Sequence, residues 1–393
     1  VIVDSVRTGL AKSFRGGFNQ TRADDMTAYI INALMDRNPK VDPGLVEDVI
    51  LGCGYPEGQK GNNVARTSAV LSKLPIQTGG TTVNRYCSSG LQTIAMAATQ
   101  IQSGFSDCII AGGVESISTA QGHINKYMFE NEKIAEEVPG IYHAMGTTAE
   151  TVAKRYNVTR DAQDEYALSS QLRCAEAQNQ GLFDDEIISM NAVMKVVNKD
   201  TGEESEAETV VDRDNCNRPN TTIEGLAGLN PVFDPEGGSV TAGNSSQLSD
   251  GASVTMVMSE KKANELGLEP LAYFRGFIVT GCEPDEMGIG PVFAVPKLLK
   301  TAGLKVDDID LWELNEAFAS QVVYIRDQLN LPTEKLNIHG GSIAIGHPFG
   351  MTGSRQVGHL TRELKRRKIR YGVVTMCVGG GMGAAGLFES ISH

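Results

Sequence analysis

Val83-Asn84-Arg85-Tyr86-Cys87-Ser88-Ser89-Gly90 lies in the first quarter of the chain, and Val373-Val374-Thr375-Met376-Cys377-Val378-Gly379-Gly380-Gly381 near its end. Each sets a cysteine where a short β-branched run gives way to a turn, as at the end of a strand. After the first, Leu91, Ile94, Ala95, Ala98 and Ile101 recur on one face. This predicts a helix over 88–103, with Ser88 or Ser89 as its cap and Gly104 as its stop. Cys87 is thus expected at a helix N-terminus, where orphan N–H groups favour a thiolate. Other short apolar runs, Val49-Ile50-Leu51-Gly52 and Ile109-Ile110-Ala111-Gly112-Gly113, alternate with helical patterns, which reads as an α/β protein with buried, mainly parallel or mixed sheets.

Sliding the two ends over each other by about 260 residues sets 46–51 against 309–314 and the Cys87 turn against His347. Two similar α/β halves follow, roughly 1–115 and 268–393. The middle breaks the pattern, with a helical signal at Ala149-Glu150-Thr151-Val152-Ala153-Lys154. An acidic run, Lys199-Asp200-Thr201-Gly202-Glu203-Glu204-Ser205-Glu206, is expected to be a solvated hairpin or loop. The chain therefore divides into an N-terminal domain of 1–115 plus 240–267, an inserted domain of 116–239, and a C-terminal domain of 268–393.

At 393 residues the chain is long enough for two or three cores. A formal charge of −13 excludes a dense cationic surface for nucleic acid, so any phosphorylated ligand must meet a local basic group. The basic run Lys365-Arg366-Arg367-Lys368 reads instead as a helix C-terminus. Seven cysteines without a CxxC pair suit a reducing compartment and argue against a thiol zinc site, so no metal is expected. No run approaches 18 apolar residues, and Val1-Ile2-Val3-Asp4 reads as a first strand, so a cytoplasmic location without a membrane span is expected.

His347, between Gly346 and Pro348, is presented by a stiff turn and can take a proton from Cys87 or bind an oxyanion. The other five histidines, His123, His143, His339, His359 and His393, are read as structural. Asn315 and Glu316 end a strand-like run and should project from a sheet edge, where α/β proteins hold ligands. Asn315 offers an amide for a water or substrate oxygen; Glu316 orients His347 or joins a buried network. Cys377, beside the N–H groups of a glycine turn, supplies a second thiol. The nearby Gly381-Met382-Gly383-Ala384-Ala385-Gly386 matches a dinucleotide fingerprint, but no room is left for the helix and second strand that such a site requires.

NRYCSSG, NEAFA, GGSIAIGHPFG and CVGGGMG, in this order and spacing, resemble the thiolase family of CoA-dependent acyltransferases. The likeness extends through Met145-Gly146-Thr147-Thr148-Ala149-Glu150, Val240-Thr241-Ala242-Gly243-Asn244 and Met287-Gly288-Ile289-Gly290-Pro291. It implies two thiolase-type α/β domains in five layers with an inserted loop domain, assembled as a homodimer or homotetramer. It also implies Cys87 as the acylated nucleophile, His347 as its activator and Cys377 as the acid/base. Asn315 would position a water that forms one oxyanion hole with His347, and the N–H groups of Cys87 and Gly379 would form the other. CoA, a co-substrate and not a resident cofactor, would lie along Arg218, Phe233, Ala242, Ser246, Met287, Ala317 and Phe318, with Met145 near the substrate and Arg218 near the nucleotide.

The resemblance implies thiolytic cleavage of 3-ketoacyl-CoA to acyl-CoA and acetyl-CoA, and the reverse condensation. Arg85, Ser88-Ser89 and Gln247 favour the degradative 3-ketoacyl-CoA thiolases of β-oxidation, which work beside partner enzymes; Tyr142-His143-Ala144-Met145 leans toward the biosynthetic acetoacetyl-CoA thiolases. Two departures from the family pattern, Gly225 and Ala144, fall in the inserted segment. A ketoacyl-carrier-protein synthase would lack the second cysteine, and a non-catalytic lipid carrier would need neither thiol.

Overall fold

The computed structural model describes residues 1–392, so the reading of His393 lies outside it. The sheet strands that frame the site are β1 (Ile2–Thr8), β2 (Asp48–Gly52), β3 (Thr81–Val83), β4 (Cys108–Glu115), β5 (Ser249–Met258), β6 (Ala272–Gly281), β7 (Leu311–Leu314), β8 (Tyr371–Val378) and β9 (Met382–Ser390). They run across the sheet in the order β7-β8-β9-β6-β1-β5-β4-β2-β3.

Strand direction reveals the repeat. In the first half β1 is antiparallel to β5, β5 antiparallel to β4, and β4 parallel to β2. In the second half β6 is antiparallel to β9, β9 antiparallel to β8, and β8 parallel to β7. The halves meet where Ile2 pairs with Ala272. The turn between β8 and β9 is a few glycines long, whereas the same connection in the first half carries the whole segment from Glu115 to Ser249. Within that segment the acidic run closes a hairpin of Met190–Val197 and Glu204–Val211, largely exposed as expected.

Both faces of each half-sheet are buried, which is why these strands read as continuous apolar runs. Val49, Leu51 and Ile110 face an outer helix through Met26, Ile30 and Leu34, while Ile50, Ile109 and Ala111 face inward. Likewise Val373 and Leu387 face outer helices through Leu298 and Val322, while Val374 and Phe388 face inward. The inward faces enclose two central helices, α1 (Ser89–Gln102) and, further along, the helix Phe349–Arg367, through Leu91, Ile94, Val357 and Leu360. The result is five layers, helix, sheet, helices, sheet, helix.

The N-terminal boundary of α1 falls where expected, with Ser88 in the N-cap position, but Tyr86–Ser88 form a separate 3₁₀ turn and the Ser88 side chain makes no capping hydrogen bond. Ser89 instead accepts from the Arg85 N–H at 2.9 Å and donates to the Tyr86 carbonyl at 2.7 Å, so it ties the turn, not the helix end. The remaining helices that shape the site are α2 (Met145–Arg155), α3 (Ala319–Leu329) and α4 (Phe349–Arg367). The Gly381 fingerprint lies on β9 and not on a helix, so it forms no dinucleotide site. The basic run ends α4, where Arg366 and Arg367 pair with Glu363.

Candidate active site

The two central helices begin two residues after Cys87 and two residues after His347, so the repeat brings these turns side by side. Their axes approach closely because Gly90 lacks a side chain. A Cβ there would stand 2.7 Å from the Ser354 nitrogen and 2.9 Å from the Gly350 oxygen. Before Cys87, Tyr86 has φ of +43°, an uncommon conformation for a bulky residue, stabilised by its N–H on Asn84 Oδ1 at 2.8 Å. Gly346 has φ of +117° and leaves no space for a Cβ against Ser249, which explains the glycine before His347.

Cys87 is 8% exposed, and the backbone N–H groups of Gly379 and of Cys87 itself act on its sulfur in the direction that favours a thiolate. These are the two N–H groups expected to form an oxyanion hole. Burial nonetheless pushes the Cys87 thiol up to about 12, against the lowering effect of these N–H groups. The thiolate character expected from the helix end is thus opposed by burial. Desolvation outweighs the helix end, and Cys87 rests as a thiol that needs a base.

The tautomer of His347, the expected base, follows from its neighbours. Thr352 donates its hydroxyl proton to the Pro348 carbonyl at 3.0 Å. It must then accept from His347 Nδ1–H, 2.7 Å away, which leaves the lone pair on Nε2. Asn315 Nδ2 lies 3.3 Å from that Nε2, and the amide is oriented by Ser342, which donates to Oδ1 at 2.6 Å. Burial, then Arg355, lowers the imidazole to about 3, so it stays neutral until a proton is offered.

Cys377 is 1% exposed and donates to Gln321 Oε1 at 3.4 Å. Burial and then the nearby Cys87 push it well above the usual thiol range. Around it pack Ala149, Val240, Met287, Ala317 and Phe318, with Met145 against them. Phe233 stands edge-on to Phe318 at 6.0 Å and half exposed. The Ser246 N–H donates to the Ala317 carbonyl at 2.9 Å, and the Gln247 carbonyl accepts from the His347 N–H at 2.9 Å. Arg218 reaches Gln247 Oε1 at 3.0 Å from the surface, and Ala242 is exposed on the same loop. Of the sequence-predicted residues, Met145, Met287, Ala317 and Phe318 thus pack with Cys377, while Arg218, Phe233 and Ala242 are exposed.

Glu316 does not orient His347. It accepts from Tyr166 and Ser170 at 2.7 Å, Asn337 at 3.0 Å and the Ile343 N–H at 3.1 Å, tying the inserted segment to the C-terminal half. Thr352, Ser342 and Gln321, which hold the reactive side chains, were not singled out from sequence. Only the spacing of Thr352 five residues after His347, one helical turn into α4, marks it. One buried trio, His339, His359 and Glu363, has the donor set of a metal site. There the imidazoles are hydrogen-bonded at 3.0 Å and Glu363 is paired with two arginines.

Residues 1–261 match the family model described as thiolase, N-terminal domain, and residues 268–390 match thiolase, C-terminal domain. A 3-ketoacyl-CoA thiolase of Bacillus subtilis is 46% identical over 99% of this chain and 98% of its own length. The peroxisomal 3-ketoacyl-CoA thiolase B of Mus musculus is 45% identical over 99% of this chain and 90% of its own. The dimeric peroxisomal thiolase of Saccharomyces cerevisiae superposes with a TM-score of 0.89 at 37% identity, covering 99% of this chain and 97% of that one. The acetyl-CoA acetyltransferase of Bacillus anthracis superposes at 0.87, also 37% identical, covering 100% and 98%.

Proposed function

The chain belongs to the thiolase family, and we propose from that premise that it is a degradative acetyl-CoA C-acyltransferase acting through an acyl-Cys87 intermediate. The observation that carries the reading is a buried thiol at the start of one central helix and an imidazole of fixed tautomer at the start of the other, with a second buried thiol close to the first.

His347 Nε2 takes the Cys87 proton, and the thiolate attacks the keto carbon of 3-ketoacyl-CoA. The C–C bond breaks, the acyl group stays on sulfur, and its electron pair leaves as the enolate of acetyl-CoA. Cys377 gives its proton to that carbanion and is left as a thiolate. An incoming CoA thiol returns a proton to Cys377, its sulfur takes the acyl group, and Cys87 regains its proton from His347. Atoms balance, and two proton carriers are needed because two carbon–sulfur events bracket one carbon–carbon cleavage. The Cys87 and Gly379 N–H groups stabilise the oxyanion of the acyl intermediates, and Asn315 with His347 that of the enolate, each donor typically contributing about 100- to 1000-fold.

In this reading 116–239 is an inserted domain over the CoA groove, between a domain of 1–115 plus 240–267 and one of 268–393. Arg218, Phe233, Ala242, Ser246, Met287, Ala317, Phe318 and Met145 line the groove and substrate path, with Arg218 as the local cation that an acidic protein needs for a phosphorylated nucleotide. CoA enters and leaves as a substrate, with no resident cofactor. The chain acts as a homo-oligomer, for which the dimeric yeast relative is the model, in a reducing compartment such as the cytoplasm. Among the described residues no helix is long and apolar enough to cross a membrane. Steady-state thiolysis across acetoacetyl-CoA and a C8 to C16 3-ketoacyl-CoA series tests the subtype; activity confined to the C4 substrate would replace it with the biosynthetic one.

A further inference from the structure

We propose that Gln321 is a positioning residue for Cys377, holding the thiol's proton through Oε1 and, when the amide turns about its last torsion, giving Nε2–H to the thiolate left after proton transfer. The inference rests on the reading of Cys377 as the carrier of the carbon-bound proton.

Gln321 lies in the first turn of α3 and is 1% exposed. Its Oε1 accepts from Cys377 Sγ–H at 3.4 Å, while its Nε2 is buried and has no hydrogen-bond partner. A buried amide N–H is rarely left unpaired, so an orphan donor one torsion away from a reactive sulfur points to a second state. The two ends of a carboxamide are nearly equal in size and opposite in hydrogen-bonding sense. Turning it exchanges an acceptor for a thiol with a donor for a thiolate without disturbing packing. The apolar side chains packed with Cys377, Ala149, Val240, Met287, Ala317 and Phe318, supply no donor.

The motif Met287-Gly288-Ile289-Gly290-Pro291 gains a physical role from the same geometry. A Cβ at Gly288 would overlap Cγ, Cδ and Nε2 of Gln321, so the absence of a side chain there is what admits the amide. The turn Pro284–Ile289 is itself clamped to the end of α2, where Arg155 and Tyr156 donate to Glu286 at 2.6 and 2.7 Å. The proton balance is the one already described: Cys377 loses its proton to the enolate carbon, keeps the S–H electron pair, and is reprotonated from CoA. Only the charged sulfur needs the donor.

The test compares Gln321→Leu, which removes both ends of the amide, with Gly288→Ala, which keeps Gln321 but displaces it. Two rates are read on each: deuterium exchange into the methyl of acetyl-CoA, which needs Cys377, and acylation of Cys87 by acyl-CoA, followed by intact mass. Exchange is expected to fall on the order of 100-fold in both variants, the loss typical of one preplaced donor, with Cys87 acylation within about threefold of wild type. Should Gln321→Leu fail to fold, Gln321→Glu, which retains shape and acceptor but no donor, takes its place with the same expected loss. Wild-type exchange in these variants, or equal loss of exchange and acylation, overturns the inference. Cys377→Ala is the control: unchanged exchange there overturns the reading beneath it, whereas lost exchange there with normal exchange in the Gln321 and Gly288 variants overturns the inference alone.

Discussion

Because Thr352 uses its hydroxyl proton on Pro348, His347 keeps its lone pair on Nε2, and the base is set before any substrate arrives. Thr352→Val removes that acceptor without changing volume, and kcat for thiolysis should fall about 100-fold, the lower range of what a positioned base contributes. A kcat within twofold of wild type would show that the tautomer is set elsewhere. The thiols offer a second test at this scale. With burial raising Cys87 to about 12, its thiolate fraction should grow steadily with pH. Alkylation of Cys87 by iodoacetamide should therefore rise about tenfold per unit between about pH 7 and 9; a plateau within that range would mean that the helix end prevails over desolvation. Cys87, His347, Asn315 and Cys377 were legible in the sequence because each sits in a turn whose glycines or strand end mark it. Thr352, Ser342 and Gln321 were not, since their importance comes from which atoms they face. How far burial holds the thiols protonated was not legible for a related reason: a helix N-terminus can be read from sequence, but depth of burial cannot.

Among the elements, the central pair α1 and α4 sets the distance between the Cys87 and His347 turns, and Gly90 sets the separation of the helices. Gly90→Ala would force a methyl against the backbone of Gly350 and Ser354. Overpacking of this kind costs about 1–3 kcal/mol, measurable by urea unfolding, and should lower kcat more than it raises KM because the two turns move apart. Unchanged stability and turnover would show that the helices can shift freely. The period and the start of α1 were legible from its apolar face and its serines, but what those serines bind was not. Ser88 and Ser89 have the chemistry of caps, yet both bind turn carbonyls because Tyr86 at positive φ redirects the chain. The strands were legible as apolar runs, whereas Glu316 was ambiguous. Its partners Tyr166 and Ser170 come from a helix about 150 residues earlier, a contact no local pattern announces.

At the scale of the whole molecule, the repeat predicted the architecture correctly because strand order and direction obey it, while the long connection between β4 and β5 could be read only as a break in pattern. Several buried titratable groups make stability depend on pH. An imidazole with a folded pKa below its unfolded value near 6.5 stabilises fully above 6.5 and loses that effect as pH falls toward the folded value. His347, at about 3, and His339, at about 4, both act in this sense. His359, raised beside Glu186, acts in the opposite one, but alone against two. Tm is expected to decline from about pH 6.5 to pH 4; a Tm that is flat or rises over that range would contradict the balance. The central claim is the division of labour between the two thiols, and peptide mapping by mass spectrometry after brief exposure to acyl-CoA tests it most directly. The acyl group should be found on Cys87 and be absent from Cys87→Ala; an acyl group on Cys377, or an adduct that survives in Cys87→Ala, would contradict it.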